Sequence, residues 1–105
     1  MSKRLAYLEK LTREGSTEPM AWYGLALEYR TLERWDEALQ TFTTLRQNHP
    51  DYVPVYLMCG QMLEKLDRKD EARGWLEAGI EAAKKKRDGH ALSELESALA
   101  GLGDS

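Results

Sequence analysis

The sequence predicts an all-α fold assembled from repeated helix pairs, and three observations carry that prediction. Apolar residues recur at three- and four-residue steps along most of the chain, which is the spacing of a single buried helical face. The chain also matches itself after a shift of 34 residues: Leu32 falls on Leu66, Arg34 on Arg68, Asp36 on Asp70, Glu37 on Glu71 and Ala38 on Ala72. Self-similarity at a fixed period marks a repeat architecture. Finally, 105 residues that are 42% hydrophobic and 31% charged, with only 3 prolines, suit a single soluble helical domain without a long linker.

The elements follow in chain order. The first helix is expected over 2–14, where Leu5, Leu8 and Leu11 precede Leu39, Phe42 and Leu45 by one period; it reads as the second half of a pair whose first half is absent. Over 19–32, Trp22, Leu25, Ala26 and Tyr29 form one stripe. Over 35–48, Ala38, Phe42 and Leu45 form another, with Asp36 and Glu37 near its start, where carboxylates suit the positive end of the helix dipole. Asn48-His49-Pro50-Asp51 stops it, because proline cannot continue the hydrogen-bond ladder.

The plan then recurs. Tyr56, Cys59, Gly60 and Leu63 fall in a helix over 53–66, and Ala72, Leu76 and Ile80 in one over 69–87. Gly60 inside a helix costs about 1 kcal/mol relative to alanine; with Ala26 at the matching position, it implies a close approach of two helices. The last helix, over 90–101, carries Ala91, Leu92, Leu95, Ala98, Leu99 and Leu102 near one face. Its apolar positions are displaced by two from the period, and Ser93, Glu94, Glu96 and Ser97 are expected to face solvent, as on a capping helix.

The spacing Trp-x2-Leu-Gly-x2-Tyr, then Ala-x3-Phe, then Pro resembles the tetratricopeptide repeat. Trp22, Leu25, Ala26, Tyr29, Ala38, Phe42 and Pro50 match it with alanine for glycine, and Trp35-Asp36-Glu37-Ala38-Leu39 looks like the segment typical of the family. The second unit keeps Tyr56, Gly60 and Ala72 but has Leu63 and Leu76 for aromatics and Lys84 for the terminal proline, so its second helix is expected to run on through Lys86. The resemblance implies a right-handed α-solenoid of about two and a half helix pairs. Residues 1–18 would be the N-terminal half-repeat, 19–52 and 53–86 the two repeats, and 87–105 the capping helix and tail of one domain.

The resemblance also implies a function. Such arrays bind peptides on the concave surface formed by the first helix of each unit. Those positions here are Met20, Tyr23, Leu27 and Arg30, then Pro54, Leu57, Gln61 and Glu64, with Met58 beside them. A groove of Tyr, Leu and Met suits an amphipathic helix or an extended apolar segment. The alternatives are that a neighbouring helix covers Tyr23 and Leu27, or that the same surface pairs two copies of the chain. One branch of the family clamps a chaperone's terminal carboxylate with Lys, Asn and Arg. Tyr23, Leu27 and Met58 at the matching positions cannot supply such charged donors.

Other chemistries find little support. Cys59 lies in a packing stripe rather than beside a base, which disfavours a thiol nucleophile. His49 and His90 have no second ligand at metal spacing, and no glycine-rich phosphate loop occurs, so neither metal, cofactor nor small-molecule substrate is expected. Lys84-Lys85-Lys86-Arg87 is the only basic run; it sits at a helix C-terminus, after Glu77 and Glu81, the latter placed to pair with Lys85, and lacks the aromatics of a nucleic-acid surface. A net charge of −3 implies no nucleic-acid or membrane partner by itself, and a charged N-terminus without a bilayer-length apolar run leaves a cytoplasmic address as the expectation. The family resemblance, with no catalytic constellation beside it, implies a non-catalytic adaptor or scaffold with a protein partner.

Overall fold

The computed structural model of the protein describes residues 2–103. Within them lie six helices and no strand: α1 (Lys3–Arg13), α2 (Pro19–Thr31), α3 (Trp35–Asn48), α4 (Pro54–Lys65), α5 (Lys69–Lys86) and α6 (Gly89–Leu102). The sequence-derived spans agree to within one residue at every end. Two compact units emerge, one of α1 to α3 ending at His49, the other of α4 to α6 beginning at Pro50.

In the first unit, the Ser2 hydroxyl caps α1 by accepting a hydrogen bond from the Leu5 amide at 3.1 Å. Leu5 and Leu8 are buried, and Leu8 lies against Gly24 of α2, where a Cβ would stand 3.5 Å from its Cδ1. Leu25, Ala26 and Tyr29 of α2 and Ala38, Phe42 and Leu45 of α3 are buried, and α2 packs on α3. Ala26 and Ala38 are each 0% exposed, so the small residues do sit at the core of the pair. Each fully buried side chain such as Phe42 contributes about 1.5–3 kcal/mol through lost apolar hydration.

The residues that repeat identically build the turn inside each pair. After α2, Glu33 adopts φ 60°, the Arg34 amide donates to the Tyr29 carbonyl at 2.8 Å, and the Glu33 amide donates to that of Arg30 at 3.0 Å. After α4, Asp67 has the same φ of 60°, Arg68 donates to Leu63 and Asp67 to Glu64, each at 2.9 Å. These paired bonds satisfy the orphan carbonyls at the end of each first helix. Arg34 then holds Glu37 through two 2.6 Å bonds, and Arg68 holds Glu71 in the same forked manner at 2.5 and 2.8 Å. Each arginine keeps its glutamate below the usual carboxylate range.

In the second unit, α5 packs on both α4 and α6. A Cβ on Gly60 would stand 2.7 Å from Leu76 Cδ2 and 3.6 Å from the Ala72 carbonyl oxygen, which is the close approach anticipated for that glycine. Gly79 carries a second one that periodicity did not flag: its Cβ would lie 2.5 Å from Tyr56 Cβ and 2.8 Å from Leu95 Cδ2. Trp75, unassigned from the sequence, is buried against Tyr56 with ring centroids 6.1 Å apart. The helix does run to Lys86, where Arg87 turns it off at φ 56° and Asp88 caps α6 by accepting from the Ala91 amide at 3.0 Å. Glu81 pairs with Lys84 at 3.6 Å rather than with Lys85, and Lys86 reaches Asp51 at 3.7 Å.

Candidate functional site

The surface expected to hold a partner is taken one unit at a time. On α2, Met20 is 72% exposed, while Tyr23, Leu27 and Arg30 are half-buried. They recur at helical spacing, on a different side from Leu25, Ala26 and Tyr29, and so leave an apolar strip with one cation at its end. On α4, Pro54, Gln61 and Glu64 are exposed and Leu57 and Met58 half-buried, while Val55, Tyr56, Cys59 and Leu63 supply the core.

Within the second unit, α4 and α6 border a cleft. Leu57 and Gln61 of α4 face His90, Ser93, Glu94, Ser97 and Ala98 of α6 across an open space of about 420 Å³. His90 Nε2 lies 3.2 Å from Glu94 Oε1, one turn away on the same wall. The lining is apolar at Leu57 and Ala98, both half-buried, and elsewhere offers amide, hydroxyl and carboxylate groups.

Periodicity alone assigns Ser93, Glu94 and Ser97 to a solvated outer face; they are exposed, and they also line this cleft. The signal is present in the two-residue displacement of the last helix. A step of 36 residues carries Pro54, Leu57 and Gln61 onto His90, Ser93 and Ser97, so α6 is a first helix in kind.

Two other hollows have different characters. Between α1 and α2, about 280 Å³ is lined by Glu9, Thr12, Arg13, Trp22, Leu25 and Tyr29. The Tyr29 hydroxyl donates to Glu9 Oε2 at 2.6 Å there, and burial, reinforced by that carboxylate, raises the phenol to about 12. The Arg34 guanidinium carbon stands 4.8 Å from the centroid of the same ring. In the second unit about 230 Å³ is bordered by Tyr56, Ala78, Ala82, Lys85 and Lys86; the Tyr56 hydroxyl is tied to the Pro50 carbonyl.

The groups weighed for chemistry have structural positions. Cys59 is 0% exposed, in the α4 core. His49 ends α3 with its Nε2 3.0 Å from the Thr17 carbonyl, and Trp35 is half-buried at the start of that helix. Among the described residues no three His, Cys, Asp or Glu side chains gather as metal ligands would, and no helix is long and apolar enough to cross a membrane.

Comparison with known proteins follows the same lines. Residues 29–100 match the family model for the tetratricopeptide repeat. A tetratricopeptide repeat domain protein from Salinibacter ruber is 35% identical, covering 81% of this chain and 94% of its own in the crystal, with a TM-score of 0.75. Its solution structure gives 0.76 at the same identity, covering 81% of this chain and 86% of its own. The solution structure of a Bordetella parapertussis protein, 24% identical, shares the fold with a TM-score of 0.81 over 97% of this chain and 89% of its own. No curated protein matches significantly.

Proposed function

The chain belongs to the tetratricopeptide repeat family, whose fold generally serves protein–protein interaction, and from that premise we propose that it is an adaptor that holds a segment of a partner protein on its first-helix surfaces. The observation that carries the reading is the cleft between α4 and α6, lined by Leu57 and Ala98 together with Gln61, Ser93 and Ser97. The segment is short and extended, places one apolar side chain between Leu57 and Ala98, and offers donors and acceptors to the polar walls. In the first unit, Met20, Tyr23 and Leu27 provide an adaptable apolar strip, and Arg30 attracts an acidic group.

The chain acts by binding, as a single domain, and not by catalysis. The burial of Cys59 supports this, because a nucleophile needs access to substrate and a neighbouring base. The partner is a protein, and neither nucleic acid nor a membrane is part of the reading. Affinity capture from native cell extract, comparing the wild type with Tyr23→Ala/Leu27→Ala and Leu57→Ala/Gln61→Ala, identifies the partner. Titration of each variant with that partner then tests the surface. Loss of roughly 1–2 kcal/mol per truncated anchor is expected; undiminished affinity in both variants removes the surface from the proposal.

A further inference from the structure

Each complete helix pair in this chain buries the same three positions of its second helix. In α3 they are Ala38, Thr41 and Leu45, and in α5 they are Ala72, Trp75 and Gly79, all buried. In the second unit the covering helix is α4: Gly60 lies over Ala72 and Leu76, and Tyr56 over Trp75 and Gly79. One period before α3, the same positions in α1 are Arg4, Tyr7 and Leu11. There the side chain of Arg4 is 64% exposed, Tyr7 is 62% exposed and Leu11 is half-buried. No described helix covers this face of α1 as α4 covers α5.

The complementary face is open at α6. The 36-residue step carries Tyr56, Gly60 and Leu63 of α4, all buried, onto Leu92, Glu96 and Leu99. Glu96 is exposed and Leu92 and Leu99 are half-buried. By helical periodicity these three project away from Ser93 and Ser97, on the side where α4 receives α5. Thus, among the described residues, α6 has the character of a first helix with no second helix packed on it, and α1 that of a second helix with no first helix packed on it.

The residues at the two open faces complement one another. In the second unit Gly60 closely approaches Ala72, and the positions one period earlier hold Ala26 and Ala38, each 0% exposed. At the open faces the same two positions hold Glu96 and Arg4, small with small giving way to acid with base. The helices around them follow suit: α1 carries Lys3, Arg4, Lys10 and Arg13 against Glu9, whereas α6 carries Glu94 and Glu96 and neither Lys nor Arg. Tyr7 and Leu11 then face Leu92, as Trp75 and Gly79 face Tyr56.

We infer that α6 of one copy docks on α1 of a second copy, forming a helix pair between molecules through Glu96 with Arg4 and Leu92 with Tyr7 and Leu11. Arg4 already lies 3.2 Å from Glu28, and its guanidinium rests beside Gly24 of α2, where a Cβ would stand 3.3 Å from Nη2; with its side chain 64% exposed, it still has donors to spare for a second carboxylate. Two long side chains hold the helix axes farther apart than Gly60 and Ala72 do, so the association is weak and salt-dependent. The contact is heterologous and can propagate from copy to copy. It uses none of the surface proposed for the partner.

Sedimentation velocity on the full chain, from tens of micromolar to millimolar and at low and high salt, tests the inference. The wild type is expected to gain mass with concentration at low salt and to lose that gain at high salt. Glu96→Arg, on an exposed site, should raise the dissociation constant about tenfold. Arg4→Glu should do the same, with its fold checked by circular dichroism because Arg4 also meets Glu28. An equimolar mixture of the two variants should associate again, since the α1 carrying Arg4→Glu then meets an α6 of opposite charge. A wild type that stays monomeric throughout, a Glu96→Arg variant that associates as the wild type does, or a mixture that fails to recover overturns the inference.

Discussion

Two glycines five residues apart in α5 should respond to alanine with opposite signs. Gly74 is exposed, and a Cβ there would meet nothing within 4 Å. Gly74→Ala therefore gains only the helix propensity and the reduced freedom of the unfolded chain, about 0.5–1 kcal/mol of stabilisation. Gly79 offers the same intrinsic gain, but its Cβ would stand 2.5 Å from Tyr56 Cβ and 2.8 Å from Leu95 Cδ2. Tyr56 Cβ is anchored to the α4 backbone and cannot rotate away, so α4 and α5 must separate. Overpacking of this kind costs about 1–3 kcal/mol. With contacts this short the upper part of that range applies, leaving Gly79→Ala net destabilised by about 2 kcal/mol after the propensity gain. Urea titration followed by far-ultraviolet circular dichroism reads both as midpoint shifts. A Gly79→Ala variant at least as stable as wild type, beside a stabilised Gly74→Ala, would refute the packing of α5 between α4 and α6.

Further expectations concern titration, turns and access. The fold favours the protonated Tyr29 phenol, so its contribution is complete below the ordinary value of 10.0 and is lost as pH rises toward about 12; Tyr29→Phe should flatten the urea midpoint over that window. Glu37 and Glu71 titrate below the usual carboxylate range, so their contribution is present above it and lost as pH falls. Replacing both by Gln should reduce the acid sensitivity of the midpoint. Glu33 and Asp67 hold φ 60° at the turns, and Glu33→Gly or Asp67→Gly should stabilise by about 0.5–1 kcal/mol, as the left-handed strain is relieved at some cost in chain entropy. A thiol reagent should label Cys59 only after unfolding; rapid labelling of the native protein would contradict its burial.

The helix boundaries and the small-residue contacts were legible because they repeat. Ala38, Ala72 and Gly60 recur at one step, and a residue that must be small twice declares a close approach. Gly79 escaped because it has no counterpart: the position one period earlier is Leu45, large and fully buried, whereas at Gly79 both Tyr56 of α4 and Leu95 of α6 press close. The extended α5 displaces the final helix by two residues, which hid its kinship with α4 and hence the cleft wall of His90, Ser93 and Ser97. Trp75 was undecidable for a related reason, since its burial depends on Tyr56 in another helix rather than on its own neighbours. The ion pairs of the basic run were also beyond periodicity: Glu81 chooses Lys84 over Lys85, and Lys86 reaches back to Asp51 before α4. Spacing fixes which face a side chain shares, and long flexible side chains choose among partners on that face.

The adaptor reading meets its most direct test in an amide chemical-shift titration of the labelled full chain with the captured partner segment. Perturbations are expected to centre on Tyr23, Leu27, Leu57, Gln61, Ser93 and Ser97, with α3 and the Lys84–Arg87 run unmoved. Perturbations confined to α3 or to that basic run would contradict it.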